Sequence, residues 1–195
     1  MLLELPVGSV VATKIDFMNG DSPIVRRAKA SDAAAIAALQ VRSWQAAYRG
    51  IVPDAFLDDL TEDAWLERWT DQLTAAGREG VHQLVSTDAR DGPPRAVAAC
   101  GPAMEPTAEL TGQLYVLYAD PPSWGRGHGG ALLRRVHELL AADGHSGAML
   151  WVAADNDRSI EFYEHHGWTK DGETQREEVA GAIFDEVRMV RELAG

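Results

Sequence analysis

Residues 117–133, LYADPPSWGRGHGGALL, place four glycines within six residues, between an apolar run and a helical one. Glycine lets the backbone approach a ligand closely, because side chains would hold the ligand away from the amides. The amides in the first turn of a helix lack partners within the helix and carry partial positive charge. Arg126 adds a cation to this turn. The stretch therefore predicts a binding site for a phosphate or a diphosphate.

Two other phosphate-binding motifs share part of this pattern. Gly125, Gly127 and Gly130 have the G-x-G-x-x-G spacing of dinucleotide-binding turns, which would make the protein a nucleotide-dependent oxidoreductase. In that fold the first glycine follows a strand almost directly, whereas DPPSW intervenes here. An acidic residue, Asp155, comes 25 residues after Gly130, beyond the expected spacing of about 20. The P-loop pattern fails because no Lys-Ser/Thr pair follows the glycines.

Downstream of the turn, helix and strand patterns alternate. Residues 128–142 carry an amphipathic stripe, and residues 147–153, GAMLWVA, predict a buried strand. A short helix follows, with Asn156 or Asp155 at its N-cap and Gly167 placed for a left-handed C-terminal cap. The segment AIFDEVRMVREL predicts the last strand.

Upstream of the turn lie a predicted hairpin, HQLVS and RAVAACG around a Gly/Pro turn, and a third strand, GQLYVLYA. Before them come the short strand IVRRA and a helix for which Ser31 offers an N-cap hydroxyl. Two more helical segments follow, DAFLDDL and a longer one that ends at Gly77. This order predicts a mixed α/β or α+β domain with a central sheet.

The length of 195 residues fits one domain with at most an appendage. Residues 1–22 show neither a helical nor an alternating period, which predicts an N-terminal extension before a domain over residues 23–195. The start of the chain lacks a basic region and is interrupted by Pro6 and Gly8, unlike a signal peptide. No apolar run approaches membrane-spanning length. A cytoplasmic protein that does not act at membranes is the expectation.

Charge and side-chain types narrow the function further. The formal net charge of −12 argues against nucleic-acid binding, which needs a cationic surface. It is compatible with a cationic partner, although acidic surfaces also simply maintain solubility. Cys100 is the only cysteine and lies in an apolar run, where a buried, inert thiol is expected. The six histidines lack metal-ligand spacing, so no metal is expected.

Two linked motifs resemble the GNAT superfamily of N-acetyltransferases. The stretch quoted first resembles the family's acetyl-CoA motif, V-x-P followed by Q/R-x-x-G-x-G/A, with Pro121 as the motif proline. About 30 residues later, LWVAADNDRSIEFYEHHGW resembles the family's strand and N-x-x-(A/S)-x-x-F-Y helix. The resemblance covers roughly residues 24–192. It implies a mostly antiparallel sheet of about six to seven strands, flanked by helices, with a splayed strand pair that forms the acyl-CoA wedge.

The resemblance also implies which residues bind acetyl-CoA. The pantetheine arm would pair with the main chain of β-strand residues in the wedge, and the glycine loop would hold the pyrophosphate. Asn156 would bond the arm, while also serving as a helix N-cap. The implied coenzyme contacts of the strand and loop are Leu117, Tyr118, Ala119, Gly125, Arg126, Gly127, His128, Gly129 and Gly130.

Direct acetyl transfer to an amine also needs an acid and a base. Tyr163 matches the tyrosine that protonates the departing thiolate in relatives, although Phe162 and Tyr163 could simply pack the helix onto the sheet. Gln113 stands where many relatives have a glutamate base, and a non-catalytic acyl-CoA-binding sensor is therefore the alternative. Glu109, Glu105 and His128 remain open as bases.

Two further features concern the loop and the acceptor. Trp124 stands where glutamine or arginine is usual, so that position supplies no side-chain contact to phosphate. Trp44 and Tyr48 lie one helical turn apart and could enclose a cationic acceptor or form part of the core. The expected acceptor is a primary amine of a small molecule, antibiotic or peptide, and a homodimer is compatible with exposed strand edges.

Overall fold

The structure is a computed structural model that describes residues 22–74, 79–179 and 182–193. One sheet runs through it, in the strand order β1-β2-β3-β4-β5-β7-β6. The strands are β1 (Ile24–Arg27), β2 (His82–Thr87), β3 (Pro94–Pro102), β4 (Gly112–Ala119), β5 (Gly147–Ala153), β6 (Thr169–Val179) and β7 (Ala182–Glu192). The helices are α1 (Ala33–Ala47), α2 (Asp54–Asp58), α3 (Glu62–Thr74), α4 (His128–Ala142) and α5 (Asp157–His165). The predicted mixed α/β class is confirmed.

The centre of the sheet contains its one parallel pair among the described strands, β4 with β5. That ladder joins only Gly112 to Ala148 and Gln113 to Met149. Beyond these two pairs the strands separate, and the edge of β4 that faces β5 is left without a strand partner within the described sheet. A bulge at Tyr115 bends β4 at the same place, because Ala99 pairs with Val116 and Cys100 with Leu114. The predicted splayed pair is confirmed.

Each face of the sheet carries its own core. On one face, α1, α2 and α3 bury an aromatic-rich cluster that includes Trp44, Tyr48 and Phe184. On the other face, α4 and α5 bury a cluster that includes Leu132, Phe162 and Tyr163. Beyond Gln113 and Met149, β4 and β5 leave a wedge-shaped gap between them. At this wedge the sheet does not separate the two cores completely.

One local expectation from the sequence needs correction. Ser31 does not cap α1: it lies inside a 3₁₀ turn, Ala30–Asp32. The Asp32 carboxylate instead accepts the Lys29 amide at 2.8 Å and pairs with Arg26 at 2.7 Å, which turns the chain from β1 into the helix. The predicted end of α3 at Gly77 lies outside the described residues.

Strand β6 has no counterpart among the strands read from the sequence. Its residues, TKDGETQREEV, are almost all polar and show no apolar alternation. Pairing with β7 along most of its length stabilises it, and a register shift between Lys170 and Thr174 bends it. A solvated edge strand of this kind leaves no hydrophobic signature, because only its backbone is satisfied by the sheet.

The caps predicted for α5 are confirmed. The Asn156 side chain accepts the Ser159 amide at 3.1 Å, and Gly167 has a φ of 80°. Only a residue that tolerates positive φ ends a helix in this way at low cost. No helix in the described ranges is both long enough and apolar enough to cross a membrane.

Candidate active site

The glycine turn connects the end of β4 to the start of α4. A 3₁₀ turn, Pro121–Ser123, follows the strand, and Gly127 is the N-cap of the helix. Gly125 and Gly127 have φ values of 75° and 84°, a conformation that side chains other than glycine adopt only with strain. The first-turn amides of α4 are therefore presented at an open, glycine-lined corner.

Gly129 and Gly130 lie in the first turn of α4, opposite α5. A Cβ on Gly129 would make an ordinary contact with the ring of Phe162, at 3.4 Å, whereas one on Gly130 would lie 3.0 Å from Nε2 of His166. The missing side chain of Gly130 therefore makes room for the His166 ring. Sequence reasoning assigned all four glycines to ligand approach, and it missed this contact of Gly130.

The side chain of His128 is directed into the protein. It is buried, and its ring nitrogens lie 2.9 Å from Ser86 Oγ and 3.2 Å from an Asp88 oxygen. Burial lowers the pKa of His128, so the ring is neutral near pH 7. These contacts tie the start of α4 to β2, and they leave only the backbone of His128 for a ligand. Arg126 lies on the same network, 3.7 Å from Asp88.

Trp124 makes two contacts that organise the turn. Its indole Nε1 donates to the Ala119 carbonyl at 2.7 Å, which fixes the end of β4 against the loop. Arg158, in the first turn of α5, places its guanidinium 3.9 Å from the centre of the Trp124 ring. This cation–π contact brings a positive charge to the loop that lacks the usual glutamine or arginine.

Leu117, Tyr118 and Ala119 lie in the separated part of β4. Their side chains are buried, and Ala96 to Ala98 of β3 pair with their other edge. The backbone edge toward β5 is the one that an extended ligand can extend as an added strand. The Asp120 amide donates to Arg95 of β3, so strand alternation directs the Tyr118 main chain to β3 and the main chains of Leu117 and Ala119 to the open edge. The Ala119 carbonyl already accepts the Trp124 indole, which leaves the Leu117 main chain the freer of the two.

Two buried polar atoms, one in α5 and one at its N-cap, have no hydrogen-bond partner within the described part of the chain. They are the Tyr163 hydroxyl and the Asn156 Nδ2. Buried polar groups are nearly always hydrogen-bonded, so both atoms are candidates for contact with a bound ligand. The pantetheine arm of coenzyme A carries amides and carbonyls that would partner them.

The Tyr163 hydroxyl lies near two other phenols, those of Tyr48 and Tyr118. Burial, followed by these two neighbours, raises the pKa of Tyr163 well above its ordinary value. Burial also raises the pKa of Tyr118 to about 12. Tyr163 belongs to the α4/α5 core, while Tyr48 and Tyr118 belong to the α1 core. The wedge is thus the place where phenols from both faces of the sheet meet, and Tyr163 is protonated at neutral pH.

Trp44 and Tyr48, the two candidate acceptor residues, stack on each other. Their ring centres are 4.5 Å apart and their planes differ by 17°. Trp44 also contacts Phe56 and Trp65, and both residues are buried. The two rings therefore occupy each other's faces, which leaves no room for a cation between them.

Most of the chain matches one known protein family. The sequence profile described as the Acetyltransferase (GNAT) family matches residues 36–168, which is more than half of the chain. The chain belongs to the GNAT family. This family assignment replaces the oxidoreductase interpretation of the glycine spacing.

One known relative matches part of this GNAT protein. A mycothiol acetyltransferase of Beutenbergia cavernae is 44% identical over 59 residues, which make up 30% of this chain and 20% of that protein. The chain thus matches about a fifth of that relative's length.

Three solved structures illustrate the likeness in fold. PaiA N-acetyltransferase of Thermoplasma acidophilum, in complex with coenzyme A, has a TM-score of 0.63 at 17% identity and covers 88% of this chain and 99% of its own. An N-acetyltransferase of Staphylococcus aureus Mu50 has a TM-score of 0.64 at 19% identity, and the match covers 89% of this chain and 99% of that protein. YncA of Salmonella typhimurium, a putative acetyltransferase with acetyl-CoA, has a TM-score of 0.62 at 22% identity, and the match covers 89% of this chain and 95% of that protein.

The base candidates from the sequence lie away from the phenols of the GNAT wedge. Gln113 is buried, and its side-chain oxygen accepts the Met104 amide at 2.9 Å, which holds the loop before β4. Glu105 and Glu109 are exposed in that loop, at the end where β4 and β5 still pair. His128 is held by Ser86 and Asp88.

Sequence reasoning missed one carboxylate on the wedge, that of Glu186 in β7. It is fully buried and lies opposite Ala153, the last residue of β5. The signal was available, because Glu186 is two residues after Phe184 and strand alternation puts both on the buried face.

Cys100 and the histidines complete the list of reactive side chains. Burial raises the pKa of the Cys100 thiol to about 12, which keeps it in its unreactive form. Within the described ranges no three His, Cys, Asp or Glu side chains are grouped as metal ligands.

Proposed function

We propose that this GNAT protein transfers the acetyl group of acetyl-CoA directly to a primary amine of a small molecule, antibiotic or peptide. The single observation that carries the proposal is the buried Tyr163 hydroxyl, which has no hydrogen-bond partner among the residues that the structure describes and belongs to the helix that follows the wedge of β4 and β5. A structural tyrosine in a sheet core normally has a partner for its hydroxyl. This one is positioned to donate to a group that a ligand brings.

The residues present divide the work of binding. The α4 amides behind Gly125 and Gly127 would bind the pyrophosphate, with Arg126 and Arg158 as cations beside it. The main chain of Leu117 and Ala119, on the open edge of β4, would hold the pantetheine arm, and a backbone N–H there would polarise the thioester carbonyl. Bound acetyl-CoA supplies an activated acetyl group and a thiol leaving group.

Tyr163 acts as the acid in this proposal. Its raised pKa keeps the phenol protonated while sulfur leaves, and the proton moves from the hydroxyl to sulfur as the bond to the acetyl carbon breaks. The neighbouring phenols Tyr48 and Tyr118 come from the opposite core, on the side from which an acceptor would reach the thioester.

The test is release of coenzyme A from acetyl-CoA with a panel of primary amines, followed by mass spectrometry of the acetylated product. We expect turnover with at least one alkylamine, together with an increase in mass of one acetyl group. Acetyl-CoA binding by calorimetry without turnover on any amine, and without any effect of Tyr163→Phe, would favour the sensor alternative that Gln113 raised. Absence of acetyl-CoA binding would reject both readings.

The cation–π contact at Trp124 gives a prediction about coenzyme binding. Replacing Arg158 by glutamine removes the charge that lies beside the glycine loop, while Trp124 remains to hold Ala119. A lost charge-assisted contact of about 1.5 kcal/mol corresponds to roughly a tenfold higher KM for acetyl-CoA. We expect kcat to change little, and steady-state kinetics measures both constants.

Arg135→Gln is the matched control for this prediction. Arg135 lies on α4, where it pairs with the exposed Glu138 at 2.7 Å and not with the loop. Its replacement should leave the KM for acetyl-CoA unchanged. Equal KM values for Arg158→Gln and wild type would mean that Arg158 only packs on the indole ring.

A further inference from the structure

The carboxylate of Glu186 lies deep in the face of the sheet that carries α1. Phe184 and Glu186 project from the same side of β7, and Phe184 belongs to the aromatic core around Trp44 and Tyr48. Glu186 pairs in register with Ala153 at the end of β5, where β5 has already separated from β4. A glutamate with no exposed surface at this position is unusual, because burying a carboxylate is costly.

The surroundings of Glu186 connect it to the phenols of the wedge. Gln175 on β6 donates its side-chain N–H to a Glu186 oxygen at 2.7 Å, which orients the carboxylate. Burial is the main cause of the raised pKa of Tyr118, and the nearby charge of Glu186 adds to it. Tyr118 in turn adds to the raised pKa of Tyr163, after burial and Tyr48. Glu186 of β7 thus lies near Tyr118 of β4, and Tyr118 and Tyr48 lie near Tyr163 of α5.

We infer that Glu186 is the anionic group of the acceptor site: it pairs with the ammonium form of the acceptor and takes its proton. The inference rests on the proposed acetyl transfer and adds to it the class of acceptor, a primary alkylamine that is cationic at neutral pH. Such amines have pKa values near that of lysine, about 10.4, and react only after losing a proton. A carboxylate removed from water favours a cationic partner strongly.

The proton and bond changes balance as follows. One ammonium proton moves to a Glu186 oxygen, and the free nitrogen lone pair forms the C–N bond to the acetyl carbon. The C–S bond breaks, and sulfur takes the proton of the Tyr163 hydroxyl. The second proton that nitrogen loses, as the amide forms, returns to the Tyr163 oxygen, and Glu186 releases its proton to solvent. The products are the acetamide, the coenzyme thiol and one proton.

The experiment compares Glu186→Gln with wild type on two acceptors of one carbon skeleton: the alkylamine turned over best in the panel, and the corresponding hydrazide, which is neutral at pH 7. Loss of a base lowers kcat/KM for the alkylamine by about 100-fold or more. For the hydrazide it changes less than about threefold, because a neutral nucleophile needs no proton removed before attack. The dissociation constant of acetyl-CoA, measured by calorimetry, stays the same.

Two further variants keep the result interpretable. Glu178→Gln removes an exposed carboxylate on β6 and should match wild type on both acceptors. Glu186→Asp keeps the carboxylate but moves it one methylene farther from the acceptor. Its activity on the alkylamine should lie between those of wild type and Glu186→Gln. If the glutamine variant does not fold, the aspartate variant is compared on the same two acceptors, with the same selective loss expected.

The possible outcomes separate the inference from the function it rests on. Equal alkylamine activity in wild type and variant, or an equal loss on both acceptors, overturns the role of Glu186 and leaves acetyl transfer standing. Weaker acetyl-CoA binding in step with the lost activity also overturns it, since the carboxylate would then support the wedge and not the acceptor. Failure of wild type to acetylate any amine overturns the proposed function, and the acceptor site with it.

Discussion

Replacing Tyr163 by phenylalanine is expected to lower kcat for acetyl transfer by about 100-fold, the usual contribution of a positioned proton donor. The free energy of unfolding should stay equal or rise by about 1 kcal/mol, because the lost hydroxyl is buried and has no hydrogen-bond partner among the described residues. The two effects have opposite signs, so a loss of activity cannot be attributed to a loss of structure. Single-turnover kinetics and urea denaturation measure them.

Tyr115→Phe provides the opposite pattern as a control. Its hydroxyl donates to the Pro102 carbonyl and so holds the bulge in β4. Removing this bond should reduce the free energy of unfolding by about 1 kcal/mol and leave kcat close to wild type. A Tyr163→Phe variant with full activity would assign Phe162 and Tyr163 to packing alone, the reading that the sequence left open.

The second large effect concerns Trp44, and it tests whether this residue serves the core or the acceptor. Trp44 is 1% exposed and packs against Tyr48, Phe56 and Trp65. Replacing it by alanine leaves a large cavity among rigid rings, which should lower the free energy of unfolding by about 3–5 kcal/mol. Denaturant titration followed by circular dichroism measures this change.

Leu66→Ala on α3 is the comparison, because its side chain is 37% exposed and its truncation should cost less than about 1 kcal/mol. A stable Trp44→Ala variant with a raised KM for the amine would contradict the core assignment. It would place the indole on the acceptor wall, as the sequence allowed.

Much of the fold and part of the site could be predicted from the sequence. Strand β4, helix α4 and strand β5 have the predicted bounds, because a continuous apolar run or an amphipathic stripe defines each one. The glycine turn and the N-cap at Asn156 are likewise local features. Strand β6 could not be predicted, since nearly all of its side chains are solvated and only the β7 backbone defines it.

The parts of the site that escaped prediction depend on groups far apart in the chain. Trp124 looked like a lost phosphate contact until Arg158, 34 residues later, was found over its ring. His128 looked like a loop residue facing a ligand. Ser86 in β2 and Asp88, just after β2, instead hold its side chain inside the protein. Neither pairing leaves a periodic signal in the sequence.

The sequence by itself determined the order of the helices and of every strand except β6, the anion-binding turn and the family, because these depend on backbone conformation and on residues close together along the chain. Only the tertiary structure decided which side chains share the wedge. The divergence of β4 from β5 lets Tyr163 of one core meet Tyr48 and Tyr118 of the other, and the buried Glu186 carboxylate lies near Tyr118. Packing across a sheet sets these distances, and no spacing along one chain segment encodes them.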